Sequence, residues 1–464
     1  MKKNEKIAAV KDLVRSLVRT DGEEVFFYLP GENIWQAKCG PKAAMALLKI
    51  IEQFPTASNI TAAEAKTIIA EIQCDPAFFR PLTMPPVNLI NCGSGIIDLN
   101  NLEVNPPQED HDFLLNLNFK YTPAATLADC QNFSKFLKFS LDLSDVITYD
   151  NMLEQPPVRR LLEMLGYMVS NEYRAKKLLL IIGPPNSGKS QILELLRMVL
   201  GADHTVALTL DELSGQSGGR FRTELLLKAH ALINDELPTR GLKNLSELKK
   251  IIAGEMITVE AKGLRPRTIR NTTKLMFAGN QLPELAEVDS GKAFSSRLCV
   301  VFLKKAADSE RRDIDLLSKL YDERNTIFSL AVNAFSKIAT TLEFTGEPVA
   351  DKALQAYAEE NSSVLTFIDD STVICEGEGI YTVDLYQVYL LYCEERALTP
   401  VKSLKSFRQQ LLCTPKVQEI RKGRLEGDEN PRSIVWGITL VNDCGEDRHE
   451  KGTKYNGENS RAAI

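Results

Sequence analysis

The chain has 464 residues, 44% of them hydrophobic and 25% charged, with a formal net charge of -6. That length exceeds a single hydrophobic core, so about two to four domains are expected. The charge balance excludes a protein that holds nucleic acid through a global basic field, and any such contact must come from local patches.

Nine cysteines include no C-x-x-C pair and the four histidines do not cluster. Reduced thiols in a cytoplasmic compartment are expected, and a zinc site is not. No apolar run approaches the roughly 18 residues of a membrane span, so no membrane is expected as a partner.

Residues 1–90 read as an α-rich N-terminal region. Helical patterns cover Lys6 to Val18, Pro41 to Phe54 and Thr61 to Gln73, around one strand-like piece, Glu24 to Leu29. The first of these is an amphipathic helix, not a signal peptide. Thr61 with Glu64 three residues later makes a capping box. Nothing here has catalytic spacing, and the region is too short for a polymerase-like domain, so primer synthesis is not expected. Pro81 to Pro86 reads as a linker. In 91–170, a collar region, Asn91 to Asn100 is a turn into a short strand and Leu114 to Tyr121 a second strand. Leu127 to Ser170 is helical throughout and reads as packing.

The core is expected at 171–305. Leu178 to Ile182 suits a buried strand, and Ile192 to Leu200 is spaced as a helix. Between them, Gly183, Pro184, Pro185, Asn186, Ser187, Gly188, Lys189 and Ser190 fit G-x-x-x-x-G-K-[ST], with Gln191 following. A triphosphate must be held close to backbone with no side chain in the way, which the two glycines allow. Backbone N–H groups and the positive helix end face the phosphates. Lys189 reaches the β and γ oxygens of ATP, and the Ser190 hydroxyl ligates Mg²⁺.

Leu225 to Glu236 then reads as a hydrophobic strand ending in two acids, expected beside the phosphate-loop strand. Asp235 is assigned to the metal and Glu236 to polarising the attacking water. Asn244 to Gly254 is an amphipathic helix. Ile257 to Ala261 and Thr272 to Ala278 are strands joined by a loop that carries Lys262, Arg265, Arg267 and Arg270 without an acid. A solvated hairpin and a finger that tracks phosphates fit this composition equally. Asn280 ends a core strand, where its amide can hold a water. Arg297 precedes the apolar strand to Phe302, either as an edge charge or as an arginine acting on a neighbouring subunit's γ-phosphate.

This order of parts resembles the superfamily 3 helicases, and among them the phage and plasmid primase-helicases related to the poxvirus primase-helicase. The resemblance runs from about Asn91 to Leu440. It implies an α/β fold: an AAA+ P-loop core with a mainly helical N-terminal collar and a C-terminal winged-helix domain. It also implies a homo-oligomeric ring, a hexamer, that hydrolyses ATP with Mg²⁺ between subunits and draws single-stranded DNA through a central channel. Lys189 and Ser190 match the phosphate-loop pair, Asp235 and Glu236 the acidic motif, Asn280 the sensor amide and Arg297 the arginine finger. Gly254 and Glu255 depart from the usual Gly-Gly-Asp, and Lys262 stands where an Arg is common.

Residues 306–365 read as a helical lid and 366–442 as a winged-helix domain: helices Thr382 to Ala397 and Ser403 to Cys413, then strands Val417 to Lys422 and Ser433 to Leu440. Lys402, Lys405 and Arg408, with Arg421, Lys422, Arg424 and Arg432, suit duplex origin DNA; a protein-docking winged helix is the competing reading. Residues 443–464 have the composition of a disordered tail. A DNA helicase replicating a mobile element is the leading expectation. Its rivals are an ATPase that remodels protein assemblies and a non-catalytic origin-binding protein.

Overall fold

The structure, a computed structural model, describes residues 3–441 apart from 55–59, 215–224, 227–228, 239–240, 243–244, 260–265, 286–290, 309–312, 397, 399, 402, 413, 415, 426–427 and 429. The tail expected at 443–464 lies outside the described residues, as do Lys262, Arg265 and Lys402.

The N-terminal unit runs α1 (Lys3–Leu13), β1 (Val18–Thr20), β2 (Val25–Leu29), β3 (Ile34–Lys38), α2 (Gly40–Ile51) and α3 (Ala62–Cys74). Its three short strands form an antiparallel sheet beside the three helices, which hold most of the region's regular structure. Only β2 was legible, because the three residues of β1 are too few to show alternation. Helix α3 does start at the expected cap: Thr61 Oγ1 accepts from Glu64 N at 3.2 Å, and Glu64 Oε2 accepts from Thr61 N at 2.8 Å.

Next come β4 (Leu89–Cys92), β5 (Gly95–Asp98), β6 (Val104–Asn105), α4 (Gln131–Ser140), α5 (Tyr149–Met152) and α6 (Pro156–Val169). The strand expected over Leu114 to Tyr121 is not one; it makes a single bridge, Leu117 to Cys92. Leu117, Phe119 and Tyr121 alternate because they are buried. The backbone N–H of Asn118 goes to Val199 O at 3.0 Å and that of Lys120 to the Asn325 side chain at 2.7 Å, not to a ladder.

The central layer contains β7 (Leu178–Ile182), α7 (Lys189–Leu200), β8 (Thr205–Val206), α8 (Leu210–Leu213), β9 (Ala231–Asn234), α9 (Leu245–Ile252), β10 (Met256–Val259), β11 (Arg267–Arg270), β12 (Lys274–Gly279), α10 (Gly291–Ser295) and β13 (Leu298–Phe302). Five strands form a parallel sheet in the order β13-β7-β12-β9-β8. All five residues of β7 are buried, as a sheet covered on both faces requires. Two expectations are corrected here. The strand before Asp235 and Glu236 does not adjoin β7, since β12 lies between them. The hairpin's second arm is Arg267–Arg270, paired with Met256–Val259, while the next strand belongs to the central sheet.

The chain continues through α11 (Leu316–Asp322), α12 (Arg324–Ser336), α13 (Pro348–Glu360), α14 (Ser363–Ser371), β14 (Thr372–Tyr381), α15 (Thr382–Glu395), α16 (Leu404–Leu411), β15 (Glu419–Gly423) and β16 (Arg432–Leu440). Helix α12 packs on α6 in the main core, where Leu165, Met168, Phe328 and Phe335 are buried together. The approach is close enough that a Cβ on Gly166 would lie 2.2 Å from Ala331 O. Arg160 of α6 fastens three parts at once, donating to Thr345 O, to Val300 O of β13 and to Asp351 of α13. At the C-terminal end, α14, α15 and α16 pack Phe367, Tyr389 and Phe407 together with buried residues of the sheet β14-β16-β15. Strand β14 shows no strand period in the sequence, because its glycines and a register shift between Ile374 and Gly379 break it. Among the described residues no helix is long and apolar enough to cross a membrane.

Candidate nucleotide site

The parallel register decides where the candidate residues meet. Ile182 lies opposite Gly279 on one side and Phe302 on the other, so β7, β12 and β13 end on one edge. Gly183 N donates to Gly279 O at 3.1 Å, and Leu303 N donates to Ile182 O at 2.7 Å. The phosphate loop therefore leaves the sheet between two clamped strands. A Cβ on Gly183 would lie 2.4 Å from Leu303 O, and Gly188 has φ +92 with its missing Cβ position 2.3 Å from the Phe136 ring. Both positions accept only glycine without a shift.

Residues of the expected collar hold the loop from behind. Besides Phe136, α4 supplies Ser140, whose Oγ donates to Ser187 O at 3.1 Å and whose backbone O accepts from Lys304 N. Asn186, at φ +60, accepts through its O from Ala307 N at 3.1 Å. A helix of amphipathic pattern gives no sequence signal for this role, because its target is about 50 residues away.

Lys189 begins α7 and is 9% exposed. Its Nζ donates to Gly183 O at 2.7 Å, Pro184 O at 2.8 Å and Asn280 Oδ1 at 3.2 Å. Burial lowers the pKa of this ammonium from its ordinary value. Asn280, one residue past β12, thus meets the phosphate-loop lysine directly. Pro185, Asn186 and Ser190 are exposed around the loop. The Gln191 Oε1 is buried with no hydrogen-bond partner among the described residues.

Asp235 and Glu236 follow β9, whose Asn234 lies opposite Phe277 of β12. Both acids are exposed just beyond the same edge, and Glu236 N donates to Asn234 Oδ1 at 2.9 Å. At about 4.8 Å between neighbouring strands, a site reaching from β7 to β9 spans about 10 Å with Asn280 in the middle. That row offers a cation, an amide and two carboxylates in sequence across one edge.

Arg297 lies elsewhere. It precedes β13, and its O accepts from Leu178 N, so it sits at the start of β7 and the phosphate loop at the end. Five residues at about 3.3 Å put the two edges roughly 16 Å apart. Arg297 donates to Ala293 O at 2.5 Å, and its Nε is buried without a hydrogen-bond partner among the described residues. Beside it, Lys177 donates to Ser296 O at 2.7 Å.

The basic hairpin is a two-stranded ribbon, β10 with β11. Arg267 pairs across from Val259 near the tip, and Arg270 from Met256 at the base, where it donates to Gly254 O at 3.3 Å. Three residues apart on one strand, they face opposite sides. On α16, Lys405 and Arg408 are exposed, away from the buried Phe407 and Leu411.

A protein-family profile described as "Family of unknown function (DUF5906)" matches residues 181–297, the stretch from the phosphate loop to Arg297. Among solved structures, this chain is similar to two apo structures of the NrS-1 C-terminal region. One is 14% identical, covers 92% of this chain and 98% of its own, and has a TM-score of 0.44. The other is 13% identical, covers 93% and 99%, and has a TM-score of 0.43.

Proposed function

We propose that this chain is the subunit of a ring-forming, ATP-driven DNA helicase that serves replication of a phage, plasmid or genomic island. The observation that carries the reading is the split of the candidate residues between two edges of one sheet. Lys189, Asn280, Asp235 and Glu236 gather at one edge, and Arg297 stands at the other. An arginine there is out of reach of its own phosphate loop but can serve the loop of a second chain, which favours a site between subunits.

The loop fits a nucleotide triphosphate on its own terms: two positions that exclude a Cβ, a helix N-terminus behind them and a lysine at its mouth. In this reading Lys189 holds the β and γ oxygens of ATP, and the Gly183 to Gln191 backbone cradles the phosphates. Ser190 and Asp235 would hold Mg²⁺, which supplies charge neutralisation on the phosphates when bound. Asn280 orients the attacking water and Glu236 takes its proton. The strand order, with the Asn280 strand between those of the loop and the acids, supports an AAA+ type core.

Movement of DNA is assigned to the hairpin with Lys262, Arg265, Arg267 and Arg270, tracking the backbone of a single strand. The C-terminal order helix, strand, helix, helix, strand, strand supports a winged helix, with Lys405 and Arg408 exposed for duplex origin DNA. The test is strand displacement from a forked DNA together with ATPase measured with and without that DNA. ATP-dependent displacement and DNA-stimulated hydrolysis are expected. Hydrolysis indifferent to DNA, with no displacement, would move the reading to a protein-remodelling ATPase.

A further inference from the structure

The turn between β1 and β2 reaches the basic hairpin. Glu23 Oε2 accepts from Arg267 Nη2 at 2.6 Å, joining the N-terminal unit to the tip half of β11. The turn is built, not draped. Asp21 Oδ1 accepts from Glu23 N at 2.9 Å and Glu24 N at 2.7 Å; Thr20 Oγ1 accepts from Gly22 N and donates to Glu24 O. Gly22 takes φ +95, and Gln73 of α3 donates to Glu23 O at 3.2 Å. The Glu23 hydrogen bond and charge, with Asp21 and Glu24 behind it, push the Arg267 pKa up. Both partners remain more than half exposed, at 52% and 67%, so a competing anion can reach the pair.

We propose that this acidic turn stands in for a nucleic-acid phosphate on Arg267, so that single-stranded DNA must displace Glu23 before the hairpin can engage it. The inference rests on the hairpin reading above. A carboxylate and a backbone phosphate offer the same chemistry to a guanidinium, two acceptor oxygens on one negative charge. The pair is exposed and screened by solvent, so the competition weakens DNA binding about two- to fivefold and does not abolish it. The N-terminal unit thereby sets a threshold on strand capture.

The test is fluorescence anisotropy with a labelled oligo-dT and a non-hydrolysable ATP analogue, on the full chain and on Glu23→Gln, Arg267→Gln and the double variant. Glu23→Gln keeps the backbone groups of the turn and removes only the charge. It is expected to tighten binding about two- to fivefold in the wild-type background and to change nothing in the Arg267→Gln background. The gain should shrink as salt screens the pair. Unchanged affinity in Glu23→Gln overturns the competition, and so does an equal gain in both backgrounds, which would be a general charge effect. If Arg267→Gln weakens binding while Glu23→Gln does nothing, the competition alone fails. If Arg267→Gln changes nothing even in the Glu23→Gln background, where the guanidinium is unmasked, the hairpin reading fails with it.

Discussion

Lys189 holds three oxygen acceptors of its own chain, two loop carbonyls and the Asn280 amide, within 3.2 Å. A buried ammonium with that company is positioned before any ligand arrives. Replacing it with alanine removes the charge that the proposed triphosphate needs and takes the Lys189 donor from the Gly183 carbonyl, while Pro184 O keeps Ser187 N. The expected outcome for Lys189→Ala is ATP hydrolysis lower by about 10²- to 10³-fold, read in a steady-state phosphate-release assay. Glu236 is exposed, and its backbone N–H donates to Asn234 Oδ1, so Glu236→Gln should leave folding and ATP affinity intact. Hydrolysis should nonetheless fall by about 10²- to 10⁴-fold if it is the base. Binding titrations with a fluorescent ATP analogue separate the two variants, and a Glu236→Gln protein with wild-type turnover would hand the site to the non-catalytic rival.

At the scale of elements, α3 offers a cap whose pH dependence is calculable in sign. Glu64 closes the capping box with Thr61 and receives Lys6 Nζ at 3.2 Å. The Thr61 hydrogen bonds, then Lys6, lower its pKa to about 2 from the ordinary 4.5. A depressed carboxylate stabilises above the unfolded value and loses that contribution as pH falls through the folded one. Protection of residues 62–74 from hydrogen exchange should therefore decline between pH 4.5 and 2. Glu64→Gln should flatten this decline. Thr61→Ala should cost about 1 kcal/mol at neutral pH, seen as faster exchange in the same helix. Exchange of α3 that ignores both substitutions would mean that packing of Ile68 and Ile72, not the cap, sets its stability.

Across the whole molecule, the two edges of the parallel sheet make a prediction that no single subunit can. On the proposed inter-subunit site, Lys189→Ala and Arg297→Ala proteins should each lack ATPase activity when pure. Mixed, they should regain part of the ATPase, because one interface in the mixture joins an intact loop to an intact arginine. Absence of rescue under conditions where mass photometry shows mixed assemblies would return Arg297 to the role of a strand-edge charge. A chain that stays monomeric with ATP and forked DNA would rule out the shared site.

What the sequence determined by itself is the local chemistry: the strand, turn and helix around Lys189, the Thr61 cap, and the side chains Asp235, Glu236, Asn280 and Arg297. These follow from hydrophobic periodicity and from glycine, which are legible within about ten residues. The tertiary structure alone decided which of them meet. Strand order put Asn280, not the acids, beside the phosphate loop, and the common direction of β7 and β13 sent Arg297 to the far edge. It also brought Phe136 and Ser140 under the loop and laid Glu23 against Arg267, across 244 residues of chain. Such pairings depend on which elements share a core, and a one-dimensional period carries no record of that.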